Sequence, residues 1–198
     1  MKNSDDIQNL ISALSKIQGF GNRSATRAAI HLISNKEEKL RPLMLALESI
    51  EKNITKCTTC GNFDTSAPCS ICRDMKRDGR LLCVVPDIAS LWALERGALF
   101  SGRYHVTGGI LSAISGVEPQ DLNLAGLRGR IENEGIEEVI LALPATVDAK
   151  ITNHYIANLL KPTGIKVTEL AHGVPIGGEL DYLDEGTIAE ALKQRKTV

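Results

Sequence analysis

The fold of this chain is decided by the stretch Cys57-Thr58-Thr59-Cys60-Gly61-Asn62-Phe63-Asp64-Thr65-Ser66-Ala67-Pro68-Cys69-Ser70-Ile71-Cys72, which holds two Cys-x2-Cys pairs separated by eight residues. Each Cys-x2-Cys turn directs two thiolates to one point, and two such turns close a tetrahedral cage of the kind that binds Zn²⁺. Four thiolates leave no open coordination position, so the spacing predicts one structural zinc ion per chain, bound by Cys57, Cys60, Cys69 and Cys72. A redox-active pair, an accidental cluster and an iron–sulfur cluster are the alternatives.

The segment around these cysteines, residues 53–80, has too few apolar residues to build a core of its own. It is rich in residues that form turns, namely Gly61, Asn62, Ser66 and Pro68. A structural zinc ion contributes roughly 10–16 kcal/mol to the folding of small modules and would supply the missing stabilisation. The fifth cysteine, Cys83, lies in an apolar run over 81–85, where we expect it to be a buried, unreactive side chain.

The residues before the cysteines predict a helix-hairpin-helix. Apolar residues at helical spacing indicate a first helix through Ile17, and the turn Gly19-Phe20-Gly21 separates it from a second helix, with Asn22 as its N-cap. Glycines permit a tight turn whose backbone N–H groups can approach a phosphate. Arg23 and Arg27, four residues apart, project from one face of the second helix. We therefore take Gly19, Gly21, Arg23 and Arg27 as candidate DNA-binding residues.

Two other interpretations of this hairpin compete with DNA binding. An ordinary helical hairpin with solvated arginines is an open alternative. A dinucleotide-binding fingerprint is rejected, because it requires glycine where Ser24 stands and a strand where the pattern indicates a helix. A third helix is predicted from Asn35, broken or delayed at Pro42. Its inward-facing residues are predicted to be Leu40, Leu43, Met44, Leu47 and Ile50.

The residues after the cysteines alternate between strands and helices. Short apolar runs predict strands over 81–85, 104–107, 138–143 and 165–170, and helical patterns fall over 88–97, 121–134, 149–160 and 187–194. This alternation favours a mostly parallel sheet flanked by helices. We expect Trp92, which lies on the predicted helix over 88–97, to be buried in the protein core rather than to stack on a nucleic-acid base. The fold class is therefore α/β, preceded by an α-helical N-terminal region.

Composition sets the class of protein. The chain has 198 residues, 43 % of them hydrophobic and 24 % charged, which fits a soluble globular protein and excludes a disordered or coiled-coil chain. Residues 1–80 hold 13 Lys+Arg and 9 Asp+Glu, a net charge of +4, whereas residues 81–198 hold 10 and 15, a net charge of −5. A polyanion is therefore expected to meet the N-terminal part.

Targeting signals are not evident from the sequence. The first six residues lack the apolar segment of a signal peptide, and no apolar run reaches 18 residues. A cytoplasmic location is therefore expected, and in that reducing compartment clustered cysteines are more often metal ligands or catalytic groups than disulfides.

The order of these parts resembles the RecR family of bacterial recombination mediators over essentially the whole chain. The resemblance rests on the hairpin, on the four cysteines and on further stretches, which are 82–85, 93–95, 100–104, 138–142 and 172–180. It implies a helix-hairpin-helix domain over 1–53, a four-cysteine zinc finger over 54–79, a Toprim domain over 80–175 and a C-terminal oligomerisation segment over 176–198.

The resemblance also implies a function. Members of the family bind DNA in recombinational repair, act with the partners RecO and RecF at single-stranded gaps, and assemble as dimeric or tetrameric rings that clamp DNA. Arg23 and Arg27 occupy the positions at which the family places its DNA-contacting basic residues. No catalytic activity and no membrane association are expected.

The acidic positions of the Toprim domain depart from the family pattern. Where the family usually carries Glu after the first strand, this chain has Pro86 followed by Asp87, and a second usual Glu is replaced by Lys150, two residues after Asp148. Carboxylates hold Mg²⁺ in Toprim enzymes, and a lysine competes with the cation. These changes argue against a Mg²⁺-dependent nuclease or topoisomerase, which is one alternative function. A zinc-containing protein scaffold with little direct DNA contact is the other.

Overall fold

The computed structural model describes residues 5–171, 173–175 and 177–194. Two compact units are present, Met1–Ile54 and Thr55–Val198. They are described separately below.

The N-terminal unit is helical. It contains α1 (Asp5–Ser15), α2 (Asn22–Ser34), a π-helical turn (Lys36–Leu40) and α3 (Arg41–Asn53). The helices α1 and α2 pack against each other around buried Ile11, Ala25 and Ala29. The two alanines on α2 present almost no side chain, which lets the helices approach closely.

Two expectations for this unit are wrong and one is confirmed. Gly21, not Asn22, is the N-cap of α2, and Asn22 is the first helical residue. The apolar stripe of α3 does not face inward: Leu43, Met44, Leu47 and Ile50 are exposed, because neither α1 nor α2 packs extensively against α3. The late start at Pro42 is confirmed: proline occupies the first turn of α3, where its missing N–H costs no helical hydrogen bond.

The second unit contains the cysteine segment and a parallel sheet. The cysteine segment forms a small hairpin and one short helix, which are β1 (Thr55–Lys56), β2 (Phe63–Asp64) and α4 (Ser70–Arg73). The remaining elements are β3 (Asp78–Val85), α5 (Ile88–Arg96), β4 (Gly102–Val106), α6 (Leu127–Glu134), β5 (Glu138–Leu141), α7 (Val147–Leu160), β6 (Lys166–Glu169) and α8 (Glu185–Lys193). The sheet has the order β4-β3-β5-β6, and all neighbouring pairs are parallel.

The two faces of the sheet are covered by different helices. Because side chains alternate along a strand, β3 sends Leu82 and Val84 to one face and Cys83 and Val85 to the other. The first face packs against α6 and α7, and the second packs against α5 through Leu91. The Cys83 thiol is buried, as expected, and burial raises its pKa to about 12.

The four predicted strands are confirmed, whereas the predicted start of one helix and the predicted burial of Trp92 are wrong. The helix expected over 121–134 begins only at Leu127, because residues 119–121 form a 3-10 turn and Leu122 and Leu124 are buried by an irregular loop. Trp92 is not in the core: 52 % of its surface is exposed. Leu91 points at the sheet, and the next residue lies about 100° further around the helix.

Among the helices within the described ranges, none combines the length and the apolarity that a membrane crossing requires.

A buried histidine on β4 makes the stability of this unit depend on pH. The His105 ring lies against the carbonyl of Asn123 and the guanidinium of Arg130. Burial lowers the pKa of His105 from its ordinary 6.5 to about 4. Between these two pH values the unfolded chain therefore binds a proton more readily than the folded protein. The free energy of unfolding is unaffected by protonation of His105 above pH 6.5 and declines as the pH falls below that value.

We expect His105→Gln to remove this pH dependence. Between pH 6.5 and 5.5 the wild type should lose about 1 kcal/mol more free energy of unfolding than the variant, because the unfolded histidine gains a proton that the folded one refuses. Urea denaturation at a series of pH values measures the difference, and any zinc loss affects both proteins alike. Parallel pH profiles would contradict the assignment.

Candidate metal centre and nucleic-acid interface

The four predicted metal ligands come together in the structure. The Sγ atoms of Cys57, Cys60, Cys69 and Cys72 all lie within 4.8 Å of one another. Sγ of Cys60 is 3.5 Å from Sγ of Cys69, and Sγ of Cys57 is 4.0 Å from Sγ of Cys72. A tetrahedral zinc ion with Zn–S bonds near 2.3 Å requires sulfur–sulfur separations of about 3.8 Å. The donor set and its spacing therefore fit a zinc ion.

The backbone around the cage supports thiolates. The Asn62 amide donates to Sγ of Cys60 at 3.5 Å, and the Cys69 amide donates to Sγ of Cys57 at 3.3 Å. A hydrogen bond from the Cys72 thiol lowers the pKa of Cys60 to about 5, and the same pairing, together with burial, raises the pKa of Cys72 above its usual range. One thiol thus ionises at the expense of another, and only a cation can hold all four as thiolates.

The metal-binding segment is attached to the edge strand of the sheet. The Val106 amide on β4 donates to the Cys60 carbonyl at 2.7 Å. Gly61 has a φ of +82°, and a Cβ at this position would lie 3.2 Å from the Val106 carbonyl oxygen. Only glycine combines this backbone conformation with so close an approach. The cysteine segment and the sheet are therefore joined through the backbone of the cage itself.

A buried arginine adds a second attachment. Nη1 of Arg130 donates to the Thr59 carbonyl at 3.3 Å and to the Tyr104 carbonyl at 2.7 Å. Its Nε donates to Glu134 at 2.9 Å, and Arg103 also donates to Glu134, at 2.8 Å. Burial alone would raise the pKa of Glu134, but the hydrogen bonds from the two arginines outweigh it and lower the pKa. One guanidinium therefore links the metal segment, β4 and α6.

The hairpin of the N-terminal unit presents the predicted basic residues to solvent. Gly19 has a φ of +84°, and the Phe20 amide closes the turn by donating to the Ile17 carbonyl at 2.9 Å. Arg23 and Arg27 are exposed on α2 and form no ion pair with the residues that the structure describes. The sequence of α2 contains no acidic residue.

The start of α2 has no side-chain cap. Gly21 caps the helix without a side chain, so the first-turn N–H groups receive no side-chain acceptor. The helix dipole adds positive potential at the same end. Gly21 has a φ of −72°, so its backbone does not require glycine, and a Cβ there would meet no neighbour within 4 Å.

At the carboxyl end of the parallel sheet, the described residues form no cluster of acidic metal ligands. Asp87 is engaged as the N-cap of α5, where it accepts a hydrogen bond from the Ser90 amide at 2.7 Å. Asp148 lies in the first turn of α7. Within the described part of the chain, the four cysteines are the only group of three or more His, Cys, Asp or Glu residues spaced to hold a metal. Lys150 instead lines two cavities, of about 560 and 470 Å³, at the ends of β5 and β6.

Comparison with family models gives a match for each part of the chain. The matching models describe a RecR helix-hairpin-helix (residues 7–50), a RecR four-cysteine zinc finger domain (residues 54–74), a Toprim domain (residues 80–171) and a RecR C-terminal segment (residues 173–196). Curated relatives agree over the full length. Proteins named Recombination protein RecR from Rhodospirillum rubrum and Erythrobacter litoralis are 55 % and 52 % identical to this chain, with 98 % of each sequence covered.

The chain belongs to the RecR family.

Membership of the RecR family agrees with the geometry of the cage. The RecR zinc finger model spans all four clustered cysteines, and this chain therefore carries one structural zinc ion. The other main parts of the predicted fold class, a helix-hairpin-helix and a Toprim domain with a parallel sheet, are likewise confirmed.

Sequence reasoning misses three residues that shape this RecR-family structure. Asn62 reads only as a turn former, yet its amide supports the cage and its side chain is buried. Arg130 gives no signal, because an arginine in a helix is usually solvated. Trp92 is expected in the core, although its indole Nε1 donates to Oδ1 of Asn62 at 3.1 Å. The signal for Trp92 was its position next to Leu91, because consecutive residues of a helix point about 100° apart and cannot both face the sheet.

We expect Cys72→Ser to abolish tight zinc binding, because the remaining three thiolates no longer close the tetrahedron. Cys83→Ala is the matched control, since Cys83 is buried but lies outside the cage. Zinc content measured by elemental analysis should fall well below one ion per chain in the first variant. It should stay at one in the second, which should lose only about 1 kcal/mol of stability to the smaller side chain. Equal zinc content in both variants would refute the four-cysteine assignment.

Proposed function

We propose that this chain is a DNA-binding recombination mediator that acts with RecO and RecF at single-stranded gaps. It works in the cytoplasm as a ring-like dimeric or tetrameric clamp and has no catalytic activity of its own. The names of the relatives, Recombination protein RecR, support a role in recombinational repair. The division of the chain would be a DNA-binding domain over 1–53, a zinc finger over 54–79, a Toprim domain over 80–175 and an oligomerisation segment over 176–198.

The observation that carries the DNA-binding proposal is the unpaired basic face of α2. Arg23 and Arg27 stand about 6 Å apart along the helix axis, beside a helix start with no side-chain cap and with no acid on the helix. Arginines and first-turn N–H groups contact phosphate oxygens and fix a protein on DNA without reading its bases. Gly19 and Gly21 keep side chains away from the turn, so that a strand can approach the backbone.

Two arginines per chain give weak binding, and assembly would supply the rest. The exposed residues Leu43, Met44, Leu47 and Ile50 form an apolar stripe on α3 that a second copy of the chain could cover. In the C-terminal segment, Leu180 and Tyr182 are also exposed; residues 176 and 195–198 lie outside the described ranges. Joining several hairpins in one ring raises the effective concentration of each phosphate contact.

The absence of catalysis is supported by the use of the remaining carboxylates. Asp87 is committed to capping α5, and Lys150 places a positive charge where a Toprim enzyme needs a cation ligand. Mg²⁺- or Mn²⁺-dependent strand cleavage that disappears in Asp87→Ala would instead favour the nuclease or topoisomerase alternative.

We expect Arg23→Glu/Arg27→Glu to weaken binding to gapped DNA by at least tenfold at low salt and to flatten its salt dependence. The reason is that each phosphate contact contributes a slope of about one to the dependence of log K on log salt. Fluorescence anisotropy over a salt series measures both quantities. Lys36→Glu/Lys39→Glu is the matched control, because it makes the same charge change at exposed lysines in the same unit.

Equal loss in the two double variants would mean that net charge, and not the hairpin, determines binding. Unchanged binding in both would leave the zinc-containing scaffold as the better description. Zinc content and circular dichroism must match the wild type before either result is interpreted.

We expect Leu47→Lys on α3 to lower the molar mass of the assembly in light scattering and to weaken DNA binding. Ser49→Lys is the control, since it adds the same charge at an exposed position two residues away. An added lysine should by itself strengthen DNA binding, so weaker binding by Leu47→Lys reports the loss of the assembly. An unchanged mass would remove α3 from the oligomer interface.

A further inference from the structure

The indole of Trp92 lies on the surface of the second unit. It shares the outward face of α5 with Ala89, Ala93 and Arg96, which follow helical spacing and are all exposed. Ala89 and Ala93 have short side chains, and 52 % of the surface of Trp92 is exposed. Burial in the core does not account for the largest side chain of α5, because Leu91 makes the contact with the sheet.

The orientation of this ring is fixed by the zinc-binding segment. Nε1 of Trp92 donates to Oδ1 of Asn62 at 3.1 Å. Asn62 is itself buried: its amide donates to Sγ of Cys60, and its carbonyl accepts a hydrogen bond from the Cys57 amide at 2.7 Å. The polar atom of the indole is thus satisfied from behind, and the apolar ring is held in place by the metal cage. A ring ordered in this way loses little conformational entropy when a ligand stacks on it.

The charges around the ring favour a polyanion. Arg96 is exposed one helical turn after Trp92 and forms no ion pair with any described residue. The acid of α5, Glu95, lies one turn after Trp92, and its charge is compensated by an ion pair with Arg77. The zinc-binding segment from residue 55 to residue 80 holds five Lys+Arg and three Asp, a net charge of +2. An aromatic ring beside an unpaired arginine is an arrangement that binds single-stranded nucleic acid.

We infer that Trp92 is a stacking platform for a base of single-stranded DNA, with Arg96 contacting the adjacent phosphate. This inference rests on the proposed DNA-binding function and adds to it a second contact, which does not involve the hairpin. Stacking on an aromatic ring is tolerant of sequence, because every base has a π-face. The site would therefore hold unpaired bases of a gap without selecting among them.

Trp92 is the only tryptophan of the chain, so intrinsic fluorescence reports on this site alone. We expect oligothymidylate to quench the emission and to compete with gapped DNA. An oligomer of the same length built from abasic nucleotides keeps the phosphates but removes the bases, and should leave the emission nearly unchanged. Anisotropy of labelled oligothymidylate measures binding independently of the indole.

Three variants separate stacking from charge. Trp92→Leu should weaken oligothymidylate binding about fivefold or more, and Trp92→Phe should recover part of this loss because it restores a ring. Arg96→Gln should reduce the salt dependence by about one phosphate contact while leaving the tryptophan in place to be quenched at saturation. Trp92 is half exposed, so these changes should not prevent folding.

The possible results are distinct. Binding by anisotropy with no quenching, and with Trp92→Leu equal to the wild type, would overturn the stacking proposal and leave the proposed function intact. Quenching by the abasic oligomer equal to that by oligothymidylate would also overturn it. Emission that shifts with protein concentration in the absence of DNA would show that a second copy of the chain covers the ring, again against the proposal. No response in either measurement would contradict the proposed DNA-binding function as well.

Discussion

Four thiols within 4.8 Å of one another are the constraint on which the second unit depends. If the thiols are neutral, the segment has too few apolar residues around them to fold by hydrophobic burial. If they are thiolates, their negative charges repel one another. A zinc ion resolves both problems at once. The consequences spread because the cage is not isolated. Its carbonyls at Thr59 and Cys60 are hydrogen-bond acceptors for Arg130 and for the Val106 amide, and Asn62 receives the indole of Trp92.

The connection through Arg130 joins a buried guanidinium to three partners. Glu134 supplies its counter-charge, and two backbone carbonyls accept hydrogen bonds from Nη1. A buried charge left without these partners would cost several kcal/mol. Two separate family models match the zinc finger and the Toprim domain, but the two segments fold together as one unit.

The sequence predicted those features that follow from local spacing. The cage followed from two Cys-x2-Cys turns, and the strands followed from apolar runs such as 81–85, because buried parallel strands leave little room for polar residues. The errors occurred where burial of a side chain depends on the neighbouring element that packs against it. The stripe on α3 has the pattern of a buried face, but no described element of its own unit covers it. Trp92 looks like a core residue by composition, but its position on α5 and its bond to Asn62 keep it at the surface. Arg23 and Arg27 are both exposed on α2, as the four-residue spacing that places them on one face leads us to expect.

The position of the zinc segment also protects a sheet edge. β4 is the outer strand of the sheet, and its outward polar groups would be a template for pairing with a strand of another molecule. At the C-terminal end of β4 these outward polar groups already have partners. Arg130 donates to the Tyr104 carbonyl, the Cys60 carbonyl accepts from the Val106 amide, and Asn123 donates to the Val106 carbonyl. The Cys60 carbonyl is the one of these partners that lies in the zinc segment, so loss of the metal would free the Val106 amide, whereas Arg130 and Asn123 would still hold the two carbonyls. The zinc segment thus covers one donor of the exposed edge that a strand of another molecule would otherwise pair with.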